Sequence, residues 1–331
     1  MSRRTAYERE PLAPMADNHT MYSVVAPIFN EQETIPELVR RLESVLTAVG
    51  ESYEIILVND GSTDHSLRLL RGLAQQDSRL RIIDFSRNFG HQAALYAGLC
   101  RASGRAVVLM DGDLQDPPEV LPRMIELWKQ GHQVVYAVRK ARKEHLLKRI
   151  AYATYYRLLN RLAYIDVPLD SGDFSLLDEG VVAILKSMPE RDKFLRGLRS
   201  WVGFKQVAMP YERDARMAGT TKYTLRKLVR LGLDGVLAYS YIPLRISFLF
   251  GSIVSLVAFG FALVYFTQRL FADSYIPKGF TTLAILILFL GGVQLLSIGL
   301  LGEYLGRIYN EVKRRPEYIE AELIGFDDDR A

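Results

Sequence analysis

The chain has 331 residues, enough for one domain of about 200 to 250 residues plus an appendage, or for two ordinary domains. Its one cysteine, Cys100, excludes an intrachain disulfide, a four-cysteine zinc site and an iron–sulfur cluster held by this chain alone. The formal charge of +4 is modest, but basic residues gather from Arg213 to Arg230 and from Arg307 to Arg315, on either side of two greasy runs; that placement points to a membrane surface and away from nucleic acid.

Residues 1–20 mix charge, proline and polar side chains without periodicity and read as a disordered tail lacking the apolar stretch of a secretory signal. From Tyr22 short β-branched runs alternate with helix-like segments, the pattern of a parallel sheet covered by helices. Strands are expected at Tyr22 to Ile28, Tyr53 to Asn59, Leu80 to Phe85, Ala106 to Met110 and Gln133 to Val138. Helices are expected at Glu33 to Val49, Asp64 to Gln76, His91 to Arg101 and Pro118 to Gln130. An aromatic-rich helical stretch to Tyr164, a turn-rich segment from Asp166 to Phe174 and a mixed region follow, completing a domain over residues 21–221.

Residues 222–243 open with an alternation of Leu225, Leu228, Val229 and Leu233 with Lys222, Arg226, Lys227 and Arg230. The composition suits a helix lying in the headgroup layer or an ordinary amphipathic domain helix. Within residues 244–302, the stretches 246–266 and 280–302 carry no charge, and each is long enough to cross about 30 Å of hydrocarbon at 1.5 Å per residue. The connection between them holds Arg269 and Lys278, whereas basic residues are dense before the first run and after the second. A multi-pass protein with both termini cytoplasmic is expected. Residues 303–331 read as a juxtamembrane helix, striped by Tyr304, Ile308 and Val312, and a tail. Gly291, Gly292, Ser297, Gly299 and Gly302 permit close helix contact within or between chains, so a homo-oligomer, taken as a tetramer, is a working expectation.

The chemistry gathers at strand ends. Asp111-Gly112-Asp113 follows the apolar run Ala106 to Met110, which places two carboxylates at the carboxyl edge of a central strand, where open α/β sheets bind ligands. Two such groups separated by a glycine suit a hard cation, Mg²⁺ or Mn²⁺, and its diphosphate partner. The first strand ends in Ala26-Pro27-Ile28-Phe29-Asn30-Glu31 and the second in Asn59-Asp60-Gly61-Ser62-Thr63-Asp64. Asp60 has the acceptors for a ribose or a base edge, while Ser62 and Thr63 are expected mainly to cap the next helix. A fourth tip, Ser86-Arg87-Asn88-Phe89-Gly90-His91, brings a cation and a glycine to a helix start, a combination suited to phosphates and a planar base, with capping as the other use of His91.

Together these motifs, with Gln115-Asp116-Pro117-Pro118 after the acidic triplet and Gly302-Glu303-Tyr304-Leu305-Gly306-Arg307, resemble family 2 glycosyltransferases of the GT-A fold. The likeness is to the branch that charges polyprenyl phosphates, including bacterial undecaprenyl-phosphate glucosyltransferases and dolichol-phosphate mannose synthase-like enzymes, and it spans roughly residues 21–316. The resemblance implies an α/β fold: a GT-A (Rossmann-like) nucleotide-sugar-binding domain, then interfacial helices and a two-helix transmembrane hairpin. It also implies that Pro27, Glu31 and Asp60 line the nucleotide pocket, that Asp111 and Asp113 hold metal and diphosphate, and that Gln115 lies beside the sugar. Val167 to Phe174 resembles the acceptor-side motif, with Asp170 and then Asp173 as the carboxylate facing the attacking group; an Asx-turn around Gly172 is the other reading of those aspartates. Arg213, Arg216 and Lys222, flanking Ala218-Gly219-Thr220-Thr221, are expected to meet the acceptor phosphate or anionic lipid.

The activity this implies is inverting, metal-dependent transfer of a hexose, glucose from UDP-glucose, to a polyprenyl phosphate at the cytoplasmic membrane. Mannose from GDP-mannose is the alternative donor, and a nucleotide-sugar sensor or scaffold the alternative role. The Gln-x-x-Arg-Trp motif of processive synthases is replaced here by Leu198-Arg199-Ser200-Trp201, which argues against polymerisation. No Gly-x-Gly-x-x-Gly follows the first strand, which argues against a dinucleotide-dependent oxidoreductase.

Overall fold

The computed structural model describes residues 20–139, 171–191, 193–212, 242–271 and 279–326. Asp170, Arg213, Arg216, Lys222 and most of residues 222–243 lie outside these residues. The chain forms two units, one containing residues 165–222 and 316–331 as well as everything up to Arg149, the other built around two long helices.

The first unit is a mixed sheet between two helical layers. Strands β1 (Tyr22–Ile28), β2 (Tyr53–Asn59), β3 (Leu80–Phe85) and β4 (Ala106–Leu109) are linked by helices α1 (Ile35–Val49), α2 (Ser66–Ala74) and α3 (His91–Arg101). A 3₁₀ turn (Pro118–Val120) and α4 (Leu121–Lys129) lead to β5 (Val134–Arg139). Then come β6 (Ser171–Asp178), α5 (Glu179–Ser187), α6 (Leu195–Trp201), β7 (Gln206–Tyr211) and, near the end of the chain, β8 (Glu320–Ile324). The sheet order is β7-β5-β6-β4-β1-β2-β3-β8.

The core explains why β1 and β2 are apolar without alternation: both are buried along their whole length, as strands covered on two faces must be. Val24, Ala26 and Ile28 of β1 pack with Leu38 and Leu42 of α1 and with Met124 and Trp128 of α4. Val25, one residue out of phase, faces the opposite layer with Ala94 and Leu95 of α3, Val181 of α5 and Leu198 of α6. A period of two thus sorts one strand between two layers. Helix α1 ends at Gly50, whose φ of 81° is the left-handed stop that glycine adopts without strain.

Three strands depart from the sequence expectation. Of the segment read as turn-rich, residues 171–174 open β6, which inserts antiparallel between β4 and β5; residues 166–170 lie outside the described residues. The mixed region contains β7, parallel to β5. The terminal stretch, read as a tail, contains β8, which pairs antiparallel with β3. Antiparallel β6 matters most for the site. Ala106 pairs with Asp178 and Leu109 with Ser175; continuing the register by two residues sets Asp173 opposite Asp111.

The second unit comprises α7 (Ile242–Phe271) and α8 (Phe280–Lys313), joined by a hydrogen bond between the hydroxyls of Ser247 and Ser297 at 2.8 Å. Among the described residues one helical stretch, Phe289–Lys313 in α8, is long and apolar enough to cross a membrane; the apolar stretch Ser247–Phe261 of α7 is shorter. Phe248, Leu256, Phe259, Leu295 and Ile298 all point outward, more apolar surface than a water-facing helix pair normally leaves open.

Gly98 shows how tightly α3 sits on β1. A methyl group there would lie 2.2 Å from Val25 Cγ1 and 3.2 Å from Val58 Cγ2. Gly98→Ala gains about 1 kcal/mol of helix propensity but forces two buried valines apart, at about 1–3 kcal/mol. Net destabilisation is expected, read as an earlier midpoint in thermal or denaturant unfolding; a later midpoint would show that α3 has slack against the sheet.

Candidate active site

Because β1 to β4 run parallel, the loops that follow them open on one edge, and antiparallel β6 delivers its amino end to that same edge. The first two loops are stitched together before any ligand is considered. Asn30 adopts a left-handed φ of 56°, which asparagine tolerates better than most residues. Its amide N–H donates to Ser62 Oγ at 3.0 Å, and its side-chain oxygen accepts from the Thr63 amide at 2.8 Å. The Glu31 amide donates to Ser66 Oγ at 3.1 Å. Ser62 and Thr63 therefore join loops, where the sequence suggested caps; α2 has no side-chain cap.

Asp60 is 3% exposed and its carboxylate organises the loop after β3. Oδ1 accepts from the Phe89 amide at 2.7 Å, and Oδ2 from the Gly90 amide at 3.0 Å and from Asn88 Nδ2 at 2.9 Å. Burial raises its pKa while the Phe89 and Gly90 amides draw it back. Gly61, with φ of 65°, lets the two loops touch, since a Cβ there would lie 2.5 Å from backbone atoms of Arg87 and Asn88. Arg87 places its guanidinium 4.0 Å from the centroid of the Phe89 ring. Pro27 lies buried near the end of β1, and Glu31 and Arg87 lie on the loops after β1 and β3; Thr34 Oγ1 donates to Glu31 Oε2 at 3.1 Å and to the Gly112 carbonyl at 3.4 Å.

The acidic triplet follows β4. Gly112 is required by proximity: a Cβ would approach the Pro27 carbonyl oxygen to 2.6 Å. Asp113 Oδ1 accepts from the Gln115 amide at 3.1 Å. Leu114 turns the chain with φ of 58°, and buried Asp116 accepts from the Tyr211 hydroxyl.

Asp111 meets two residues from other elements. His91, the first residue of α3, holds Nε2 3.4 Å from Asp111 Oδ1 and 3.4 Å from Asp173 Oδ2. The donor atoms of His91, Asp111 and Asp173 all lie within 4.8 Å of one another, a nitrogen and two carboxylate oxygens gathered as a divalent cation would require. Asp113 is not one of this group. Asp173 is held in turn by Arg196, whose Nε and Nη2 reach its two oxygens at 3.1 and 2.9 Å, and by Gln92 Nε2 at 3.2 Å. Arg199 lies behind, 2% exposed, donating to the Gly172 carbonyl at 3.3 Å. Arg196, Arg199 and Gln92 carry no sequence signal, because only the packing of α6 and α3 against β6 brings them to Asp173.

The charges are strongly coupled. The pKa of Asp111 is pushed up to about 6 by burial first and then by Asp116, Asp173 and Asp113, with His91 opposing. Burial alone would lower the pKa of His91, yet it is raised, because the hydrogen bond to Asp173 and the charges of Asp111 and Asp173 outweigh that effect and Arg196. Asp173 goes the other way: burial raises it, but His91 and Arg196 together hold it below the usual carboxylate range. A carboxylate that keeps its charge so firmly is a poor proton acceptor; Asp173, expected after Asp170 as the carboxylate facing the attacking group, is tied here to His91 and Arg196.

A mixed sheet thus carries a carboxylate cluster at the edge where its parallel strands end, and a long apolar helix follows in the same chain. The comparisons give the class. Residues 23–184 match the glycosyl transferase family 2 domain, and residues 242–308 match the GtrB C-terminal hairpin. The glycosyltransferase YkcC of Bacillus subtilis (strain 168) is 46% identical over 94% of this chain and 97% of its own length. A prophage bactoprenol glucosyl transferase homolog of Escherichia coli (strain K12) is 40% identical over 90% of this chain and 97% of its own. Glucosyl-3-phosphoglycerate synthase of Mycobacterium tuberculosis aligns over 66% of this chain and 79% of its own at 24% identity and a TM-score of 0.43. The chain belongs to glycosyl transferase family 2 and is a glycosyltransferase of the GT-A type.

The saturation of Asp60 gives a prediction. Asp60→Asn turns one of the two accepting oxygens into a donor facing an amide, which should cost about 1–3 kcal/mol and speed hydrogen exchange at Phe89 and Gly90 by roughly 5- to 150-fold. Unchanged exchange with weakened nucleotide binding would mean that the carboxylate serves the ligand first.

Proposed function

We propose that this glycosyltransferase moves glucose from UDP-glucose onto a polyprenyl phosphate at the cytoplasmic face of the membrane, with inversion, releasing UDP. The observation that carries the reading is the convergence of Asp111, Asp173 and His91, with Asp113 and Asp116 adjoining, at the edge where four strand loops open. The choice of acceptor and sugar is supported by full-length relatives that carry the name bactoprenol glucosyl transferase.

The donor set fits a divalent cation, Mg²⁺ or Mn²⁺: clustered carboxylates raise each other's proton affinity at Asp111, a repulsion that bound positive charge relieves. Asp111, with Asp113, His91 and Asp173 as the neighbouring donors, would hold the ion, which supplies charge neutralisation for a departing diphosphate. The protein's own groups do the rest. Pro27, Asn30, Glu31, Asp60 and Arg87 shape the nucleotide side, and Gln115, 8% exposed beneath the triplet, faces the sugar. In the transfer an acceptor phosphate oxygen forms the new bond to the anomeric carbon as the bond to the UDP oxygen breaks. A phosphate monoester is already largely ionised near neutral pH, so alignment and charge management matter more than a base. Asp170 is assigned to orient the attacking phosphate, with Arg213, Arg216 and Lys222 as its counter-charges. Helices α7 and α8 are assigned as a two-span hairpin with both termini cytoplasmic.

Purified full-length protein should release UDP from UDP-glucose only when a polyprenyl phosphate is present, and far more slowly from GDP-mannose or UDP-N-acetylglucosamine. Chelation should abolish turnover and added Mg²⁺ or Mn²⁺ restore it, while Asp111→Asn and Asp113→Ala each lose at least about 100-fold. Full turnover after chelation, or by either variant, would overturn the assigned metal site; a preference for another sugar would overturn the donor.

A further inference from the structure

The segment around β8 does more than extend the sheet. Arg101, in the last turn of α3, donates to both oxygens of Glu320, at 3.3 and 2.6 Å. The ring of Tyr318 stacks on Phe85 with centroids 5.1 Å apart, and the Ser86 amide donates to the Ile319 carbonyl at 3.0 Å. One residue earlier, Glu317 Oε1 faces Lys193 Nζ at 3.8 Å.

Lys193 is the unusual member of this contact. It lies in the loop between α5 and α6 and is 5% exposed, although lysine is almost never fully buried unless paired. Its ammonium donates to the Met188 carbonyl at 2.5 Å and to the Tyr96 hydroxyl at 3.0 Å, and lies 4.1 Å from the centroid of the Tyr96 ring. The residues that follow it reach the site directly. The Leu195 amide donates to Gln92 Oε1 at 3.1 Å, and Gln92 Nε2 touches Asp173. Arg196 forks onto Asp173. The other acceptor of the ammonium, Tyr96, belongs to α3, whose first two residues are His91 and Gln92. One buried cation therefore ties the terminal segment, the middle of α3 and the entrance to α6 together, with the carboxylate cluster at the first turn of both helices.

We propose that Lys193, seated by Tyr96 and Glu317, is a positioning residue for glycosyl transfer: it sets the start of α6 so that Arg196 and Gln92 keep the Asp173 carboxylate turned toward His91. An apolar side chain would fill the same space, but only a donor with several directed bonds fixes the orientation of the loop. Removing the lysine alone takes the cation away from Glu317, the Tyr96 hydroxyl and the Met188 carbonyl, which costs stability, so positioning is separated from bracing by whether kcat falls in protein that is still folded. The inference rests on the His91–Asp111–Asp173 cluster being the transfer site.

The test uses full-length Lys193→Met, Lys193→Arg, Glu317→Gln and Asp173→Asn, with UDP release from UDP-glucose and thermal unfolding as readouts. For Lys193→Met we expect kcat to fall roughly tenfold with the donor KM within about twofold, in protein whose unfolding midpoint is lowered but stays above the assay temperature. Lys193→Arg recovers most of kcat, and Glu317→Gln lies between the two. A stable Lys193→Met protein with parental kcat overturns the proposal, as does a loss of kcat that tracks the unfolding midpoint and is not recovered by arginine. If Lys193→Met fails to fold, parental kcat in Glu317→Gln overturns it. Parental activity in Asp173→Asn sinks the assignment of the site itself, whereas an inactive Asp173→Asn beside a fully active Lys193→Met sinks only the role of Lys193.

Discussion

The site depends on holding several negative charges together at the end of a sheet without letting them repel one another apart. Asp111 follows β4 and Asp173 lies in β6, its antiparallel neighbour, and Asp116 and Asp113 add to the same field. Like charges at this spacing raise one another's pKa, and with burial they push Asp111 up to about 6 while Asp173 stays low. Asp173 does not, because the Arg196 guanidinium covers both its oxygens and the His91 ring sits between it and Asp111. The arrangement is a divided field: one carboxylate locked in its charged form, the other poised for a cation.

Much of the surrounding frame follows from that need. Gly112 is small because Pro27 crosses it, and Gly61 is small because Arg87 and Asn88 cross it, so the loops close on each other instead of spreading into solvent. A side chain at either place would push a loop away from the edge where the charges meet. The buried strands below supply the stiffness, since a core covered on both faces leaves the loops little freedom to relax.

How far the amino-acid sequence disclosed this differs from element to element. The four parallel strands were legible because each holds a short β-branched or aliphatic run followed by polar residues, and the acidic triplet was legible because it stands directly after the last of them. Strand β6 was not: Ser171-Gly172-Asp173-Phe174-Ser175 has the composition of a turn, and its polar groups are tolerated inside only because partners reach them, Ser175 bonding the Asp173 carbonyl at 2.9 Å and Arg196 covering Asp173. Strand β8, Glu-Ala-Glu-Leu-Ile, looks like a charged tail, yet its glutamates are where Arg71 and Arg101 bind, and charged side chains are what an edge strand needs. In both segments tertiary pairing overrode local composition. Asp60 shows the complementary limit: its place at a strand end was visible, but the demand of the backbone amides of Phe89 and Gly90 for its oxygens was not.

The division of labour between Asp111 and Asp173 also bears on what kind of catalysis the site suits. A mechanism that had to pull a proton from a weakly acidic alcohol would need a base poised near neutrality, and neither the arginine-locked Asp173 nor a cation-bound Asp111 meets that need. A phosphate acceptor removes it, because its nucleophilic oxygen is charged before it arrives. The difficulty then moves from proton removal to bringing an anion toward a cluster of anions, and that favours positive charge arranged behind the carboxylates. Arg196 and Arg199, one turn apart on α6, stand there, and Arg199 retains its charge although burial draws its pKa down to about 10.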